Sequence, residues 1–370
     1  MKRNQFLRVF VCLIGFVTLL SAQVQESDFA WNSDFRSSAY FQSWKKENGD
    51  RISQWSIPVH YILPLSRTLS VDIATGLASA NRTTADDRLE GLVDTRIRTT
   101  FLTLREKLLL TAYLTFPTGV NRLEGDQNKV ASALSDDALN FRMPNFGQGF
   151  RVNIGGVYAT QVSAGVVLGL GAAYLWKGAF KPFANNELNY RPGNELAFTM
   201  GLDLGGERFK MTADAAYIYY QADKADDEVI FRSGDKLFLQ LRWIFNLQPS
   251  AITVYVQNRS KGKNERGFGS ISEELLNSNG NRLDIGSIGS FPVNSQTTLK
   301  ALLSVKIYAK NEYGDRGALI GGIGGGVVHH FSRRVSLDLT GKLSRGNQKT
   351  LGSKIGITGL EFSGGFRYRL

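Results

Sequence analysis

Apolar and polar residues alternate one by one along much of this chain. In "RRVSLDLTGKL" (333–343), Val335, Leu337, Leu339 and Leu343 fall on one side and Ser336, Asp338, Thr340 and Lys342 on the other. A period of two is the signature of a strand, because successive side chains on a pleated backbone point to opposite faces. The same rhythm gives an apolar set of Leu69, Val71, Ile73 and Leu77, and another of Leu237, Leu239, Leu241, Trp243 and Phe245. A third set, Phe209, Met211, Ala213, Ala215, Tyr217 and Tyr219, stands against Lys210, Thr212 and Asp214. Such an apolar face meets a second sheet in a soluble sandwich; in a membrane barrel it meets lipid, and the polar face lines a lumen.

The alternation predicts sixteen strands, at 36–46, 51–63, 67–79, 92–104, 107–117, 149–160, 163–176, 194–204, 207–220, 234–246, 249–259, 282–292, 296–310, 317–330, 334–344 and 354–369. Most have the length of a tilted membrane strand, about ten residues. Fourteen is the alternative, with 36–46 as a plug segment or one weak strand as loop. The connections alternate in length. Those at 64–66, 105–106, 161–162, 205–206, 247–248, 294–296 and 332–334 are two or three residues long, and long polar stretches such as 81–91, 120–149, 177–194 and 260–281 fall between them. Short periplasmic turns and long extracellular loops produce this pattern, which a sandwich does not require. The expected fold class is therefore all-β, a transmembrane antiparallel up-and-down β-barrel of about sixteen strands in a bacterial outer membrane, with both termini on the periplasmic side. Aromatics gather near the strand ends, at Trp55 and Tyr61, Tyr174 and Trp176, Tyr217 to Tyr220, Trp243 and Phe245, and Phe366 with Tyr368, as interfacial girdles do.

The N-terminus adds a compartment. Lys2, Arg3 and Arg8 flank an apolar run from Phe10 to Leu20, and the small residues Ser21 and Ala22 follow. That is the form of a cleaved export signal, too short to span a bilayer. The expected organisation is a signal peptide at 1–22, a short periplasmic segment at 23–35 and the barrel at 36–370. The single cysteine, Cys12, lies in the signal, so disulfides are not expected to hold the exported chain together. No later run of about eighteen apolar residues exists, which excludes ordinary spanning helices. The final residues "GLEFSGGFRYRL" carry Phe366, Tyr368 and Leu370 on one face and resemble the C-terminal strand that outer-membrane barrels present to their insertion machinery. Those signals usually finish on an aromatic residue, whereas this chain finishes on Leu370.

The segment "VDTRIRTTFLTLREKLLLTAYLTFPTG" (93–119) is a strand, a tight turn and a strand that ends in Pro117-Thr118-Gly119 before a long loop. It resembles the outer-membrane transporter family of the phenol-degradation meta pathway, itself similar to the long-chain fatty-acid transporter barrels, and the likeness carries through "NFGQGFRVNIGGVYA" (145–159). The resemblance implies passive uptake of small, often hydrophobic or aromatic molecules. It assigns no substrate residue.

Charge bears on what such a lumen would favour. The formal net charge of +11 falls to +8 once Lys2, Arg3 and Arg8 leave with the signal. With the apolar set facing lipid, the inward bases are Arg96, Arg98, Lys107, Arg151, Lys210, Lys236, Arg242, Arg259, Lys300, Lys306, Lys342, Arg367 and Arg369. The inward acids are Asp72, Asp94, Asp203, Asp214, Asp284, Asp338 and Glu361. A net positive lumen concentrates anions, whereas paired charges merely brace a polar wall; the sequence leaves both readings open. There is no compact basic motif, so nucleic acid is not an expected partner. The expected partners are outer-membrane lipid, lipopolysaccharide, the barrel-insertion machinery and a small-molecule substrate.

Enzymatic chemistry finds little support. "GALIGGIGGGVV" (317–328) is no phosphate loop, because it runs into a strand and not a helix; its glycines permit kinks, inward room for a loop, or a lateral opening. His329 and His330 adjoin a periplasmic turn, while the acidic pairs Asp86-Asp87, Asp136-Asp137 and Asp226-Asp227 sit in outer loops, so the parts of a hydrolase lie at opposite ends. The acidic pairs read as solvated loop charge with no calcium-loop spacing. No cofactor, metal or catalytic residue is expected. The segments 130–140 and 270–278 read as short helices that either fold into the mouth or cap the rim. The leading expectation is a passive channel for small molecules, possible substrates being anions or hydrophobic acids; the alternative is a non-enzymatic barrel that acts through its loops as an adhesin, receptor or scaffold.

Overall fold

The computed structural model describes residues 33–315, 317–350 and 353–369. The expected signal peptide and Leu370 lie outside them. Sixteen strands form one closed wall. They are β1 (Asp34–Lys46), β2 (Arg51–Pro64), β3 (Leu69–Arg82), β4 (Thr95–Thr103), β5 (Leu108–Phe116), β6 (Arg151–Ser163), β7 (Val166–Lys177) and β8 (Glu195–Gly205). Then follow β9 (Phe209–Tyr220), β10 (Lys236–Leu247), β11 (Ser250–Lys261), β12 (Arg282–Pro292), β13 (Thr297–Tyr308), β14 (Ala318–His330), β15 (Val335–Thr350) and β16 (Ser353–Arg369). Each pairs antiparallel with the next. β1 closes on β16 from Asp34↔Arg369 to Lys46↔Ile357, so 36–46 is wall, and the alternative of a plug with fourteen strands is overturned. A seventeenth strand, Leu89–Leu92, extends the wall beside β3, with Leu77 opposite Leu92.

The strand parity expected from the sequence sorts the side chains. On one face Trp55, Ile154, Leu170, Met200, Leu303, Ile323, Leu343 and Phe362 are exposed, each by more than half of its surface. On the other, Gln54, Asp72, Asn153, Thr115 and Asp284 are buried. A closed ladder satisfies its own backbone groups, so an apolar outer belt on such a wall can sit in hydrocarbon. The chain is an outer-membrane-type β-barrel that crosses the bilayer with strands; among the described residues no helix is long and apolar enough to do so.

Several expected details shift. β1 begins at Asp34, two residues before the expected boundary. The β15–β16 hairpin runs up to Thr350↔Ser353, past the expected ends near 344 and 354, because Arg345, Asn347 and Lys349 break the apolar rhythm above the belt while backbone pairing continues. Lys107 sits exposed in the β4–β5 turn and does not line the lumen. Tyr220, grouped with the girdle aromatics in sequence, has inward parity beside Lys236. The glycine-rich strand β14 pairs without interruption to β13 and β15, which removes the lateral opening. A Cβ on Gly322 would lie 2.6 Å from Lys342 Cε and 2.8 Å from Ser304 Oγ, so that glycine makes inward room for a lysine.

Outside the belt, three loops build a five-stranded sheet from Tyr190–Arg191, Asp223–Ala225, Glu228–Arg232, Glu265–Phe268 and Ser270–Glu273. The helix expected over 270–278 is therefore a strand at its start, its residues drawn into pairing from Phe268↔Ser270 to Glu265↔Glu273. In the β1–β2 turn, Asp50 is buried and accepts bonds of 2.9 and 3.1 Å from Arg82. Burial raises its pKa, but the Arg82 guanidinium and Lys46 outweigh that and hold the carboxyl below its ordinary value of 3.8. The stability this gives is present above 3.8 and is lost as pH falls through the lowered folded value. Asp50→Asn should therefore flatten the acid limb of an unfolding-versus-pH curve measured by intrinsic fluorescence.

Candidate functional site in the lumen

The long β5–β6 loop does not extend away from the barrel; it folds into it. Pro117-Thr118-Gly119 starts the inward turn. Gly119 donates its N–H to Asp94 (3.1 Å), and a Cβ there would strike Phe146 O at 2.0 Å, so only glycine admits the crossing of the two chain segments. Asp94 also accepts from Gln148 N (2.8 Å), and its own N–H donates to Phe146 O (2.9 Å). One carboxylate thus clamps both ends of the loop.

Between those ends runs α1 (Gln127–Leu134), which buries Val130, Ala133 and Leu134. With Ala138, Leu139, Phe141 and Phe146 they pack on Trp44, Ile52, Ala78, Ala80, Ile320 and Ile357, which β1, β2, β3, β14 and β16 turn inward. Water is excluded from that side of the outer lumen. Each large apolar side chain buried in this way contributes about 1.5–3 kcal/mol. Two buried wall glutamines then hold the loop backbone. Gln54 donates to Met143 O (2.6 Å) and accepts from Met143 N (3.0 Å), while Gln42 accepts from Arg142 N and donates to Asn140 O. They act as side-chain rungs in place of a strand. Gln54→Leu would leave both groups of the half-buried Met143 unpaired, at up to about 1–3 kcal/mol each. Its expected result is faster proteolytic cleavage near 140–143 in a barrel that is otherwise folded.

The loop is also tied further round the wall. Asp137 pairs with Arg259 of β11, and its carbonyl accepts from Tyr308 of β13; Asp136 accepts from Gln348 of β15 (3.0 Å). Asp136-Asp137 is therefore engaged loop charge, although the Asp137 side chain stays largely exposed. The pair ties the loop to β11 and β15.

The expected lumen residues divide into two kinds. Arg98 donates to Asp72 at 2.5 Å, with His60 on the other carboxylate oxygen at 3.3 Å. Lys342 lies 3.7 Å from Glu361 and Lys300 bonds Asp338; Arg367 shares Asp34 with Arg36. Arg151 donates to Gln148 (2.7 Å) and lies 3.8 Å from Asp94. These are braced charges. By contrast, Arg96 sits 5.7 Å from the Tyr113 ring and Lys236 5.6 Å from Tyr220, and neither has an ion pair among the described residues. The Nε of Arg96 is buried without a hydrogen-bond partner among those residues. Arg242 faces Thr212 and Tyr255 in register, Lys306 lies between Asp284 and Ile320, and Lys210 is exposed towards the periplasmic end of β9.

The cation–tyrosine pairing was not anticipated from the sequence. Arg142 over Tyr40 (4.6 Å) and Arg282 over Tyr308 (5.4 Å) repeat it. Its signal was available: Tyr40, Tyr113, Tyr220 and Tyr308 all carry inward parity, whereas a girdle needs outward parity. Phe366 and Tyr368 of the expected assembly signal face outward beside Leu337 and Val335.

No family model and no curated protein matches the chain. Solved structures do resemble it. A bacterial polysaccharide outer-membrane secretin is 10% identical and covers 92% of this chain and 100% of its own, with a TM-score of 0.48. An outer-membrane channel from Pseudomonas putida F1 is 8% identical over 94% and 100%, with a TM-score of 0.43. CymD, a monoaromatic hydrocarbon channel, is 11% identical over 92% of this chain and 88% of its own, with a TM-score of 0.45. At these values no function passes from those proteins to this one.

Proposed function

We propose that the chain is a passive outer-membrane channel for small solutes, with anions and apolar acids as the favoured class. The exported form would lack 1–22, and Phe366, Tyr368 and Leu370 would serve its insertion. The observation that supports this reading is the division of the lumen. The β5–β6 loop fills the side made by β14–β16 and β1–β3, while β4, β5, β9 and β10 carry Arg96, Tyr113, Tyr220 and Lys236, whose two cations have no ion pair among the described residues. A cation beside an aromatic face offers an acid both of its contacts, charge for the carboxylate and a ring for the apolar body. Fixed positive charge in a low-dielectric cleft also concentrates anions at the passage.

The decisive experiment is to refold the mature chain into a planar bilayer and measure conductance and reversal potential under a salt gradient. Steady anion-selective current is the expected result. A heat-modifiable barrel that stays silent, with no uptake of aromatic carboxylates into liposomes, would overturn the proposal. A second reading rests on the five-stranded extracellular sheet, whose exposed Phe268 and Leu275 suit a surface role. Under that reading, replacing 262–279 by a short turn would abolish cell-surface binding and leave conductance unchanged.

A further inference from the structure

The outer wall carries a second candidate site, on the lipid side and away from the lumen. Arg345, Thr358, Lys45 and Arg51 stand opposite one another in register across β15, β16, β1 and β2. All have outward parity at the extracellular ends of these strands. Adjacent strands are about 4.8 Å apart, so the row sets three cations along about 14 Å of wall. Lys349 and Lys354 pair above it, nearer the hairpin tip. Three acids are close by, and all are engaged: Glu90 with Arg88 at 3.5 Å, Glu47 with Gly356 N at 2.9 Å, and the buried Asp50 with Arg82 at 2.9 Å.

Directly below the row the wall turns apolar. Leu343 faces Leu360, and one step lower Phe362, Phe41 and Trp55 share a level, with Phe41 and Trp55 in ring contact at 4.7 Å. Beside them opens a groove of about 570 Å³ lined by Phe41, Arg51, Ser53, Trp55, Ser79 and Arg88. Small polar side chains and guanidinium groups complete its lining, with Asn81 and Thr83 beside the serines and Arg82 beside Arg51 and Arg88. Cations in the row and exposed aromatic and aliphatic surface beneath them match a molecule with phosphates at one end and acyl chains at the other. A free anion would make no use of the apolar part.

We propose that this face is a binding site for a phosphorylated glycolipid of the outer leaflet, lipopolysaccharide through its lipid A phosphates. Lys45, Arg51 and Arg345 take the phosphates, Arg88 closes the groove, and the acyl chains lie on Leu343, Leu360, Phe362 and Trp55. The site depends on the barrel's seat in an outer membrane and not on whether the lumen conducts.

The test uses the refolded barrel in mixed micelles, titrated with bis-phosphorylated lipid A, with dephosphorylated lipid A and with phosphatidylglycerol, and adducts are counted by native mass spectrometry. The bis-phosphorylated lipid should bind at least tenfold more tightly than the other two. The triple variant Lys45→Glu, Arg51→Glu, Arg345→Glu should lose that preference, while Lys224→Glu, Lys263→Glu, Arg266→Glu in the extracellular sheet keeps it. Equal binding of phosphorylated and dephosphorylated lipid A to the unaltered protein would overturn the site, as would equal binding of phosphatidylglycerol. The lipid comparison holds even where the triple variant fails to fold.

Discussion

Deleting residues 127–139 is expected to raise single-channel conductance several-fold. The segment carries α1, Leu139 and the Asp136-Asp137 pair, so its loss removes both the apolar filling on the β1–β3 side and the tie to Arg259 and Gln348. Conductance follows the open cross-section of a water-filled lumen, and a wide barrel without its inserted loop is an aqueous channel. The wall pays for this opening with exposed Trp44, Ile52, Ile320 and Ile357. At about 25 cal/mol per Å² of apolar surface returned to water, the variant should unfold at a visibly lower temperature in a gel-shift series. Unchanged conductance in a folded deletion variant would place the loop outside the ion path and remove the basis of the lumen described above.

The wall was legible in the sequence because each strand carries its own evidence: parity at period two, a length of about ten residues and alternating turn lengths. Lipid on one side and a polar interior on the other act on every strand separately, so sixteen local patterns add up to a barrel. The inserted loop was not legible in the same way. "VASALSDDALN" suggested a helix, but whether it capped the rim or entered the lumen depended on partners such as Gln54 and Tyr308, far away in the chain. A buried glutamine facing inward is ordinary in sequence and becomes a clamp only once Met143 is opposite it. Charge pairing failed for a related reason. Asp72 reads as one inward acid among several until the register of β3 and β4 sets it against Arg98. Register is a property of two strands, and a count of bases against acids does not contain it. That distinction decides which arginine to change.

Arg96→Glu should shift the channel from anion towards cation selectivity. Arg98 is the poorer choice, because glutamate there would press a second carboxylate on Asp72 and strip that buried group of its partner. Arg96 has no ion pair among the described residues to break, and Tyr113 is its neighbour. At an effective dielectric constant of about 40 and a distance of about 8 Å, one unit charge acts on a passing ion with about 1 kcal/mol. Reversal changes the charge by two, and if screening halves the effect, anion passage falls about fivefold and cation passage rises about fivefold, so the ratio of anion to cation permeability should fall about thirtyfold. Arg96→Gln should give an intermediate value, since it removes the charge without inverting it. Raising the salt concentration should shrink all three differences together, because a field through water is screened and a steric filter is not. A reversal potential that is the same in all three proteins would mean that permeating ions do not pass within a Debye length of Arg96, and the basic wall of β4 and β5 would then be structural.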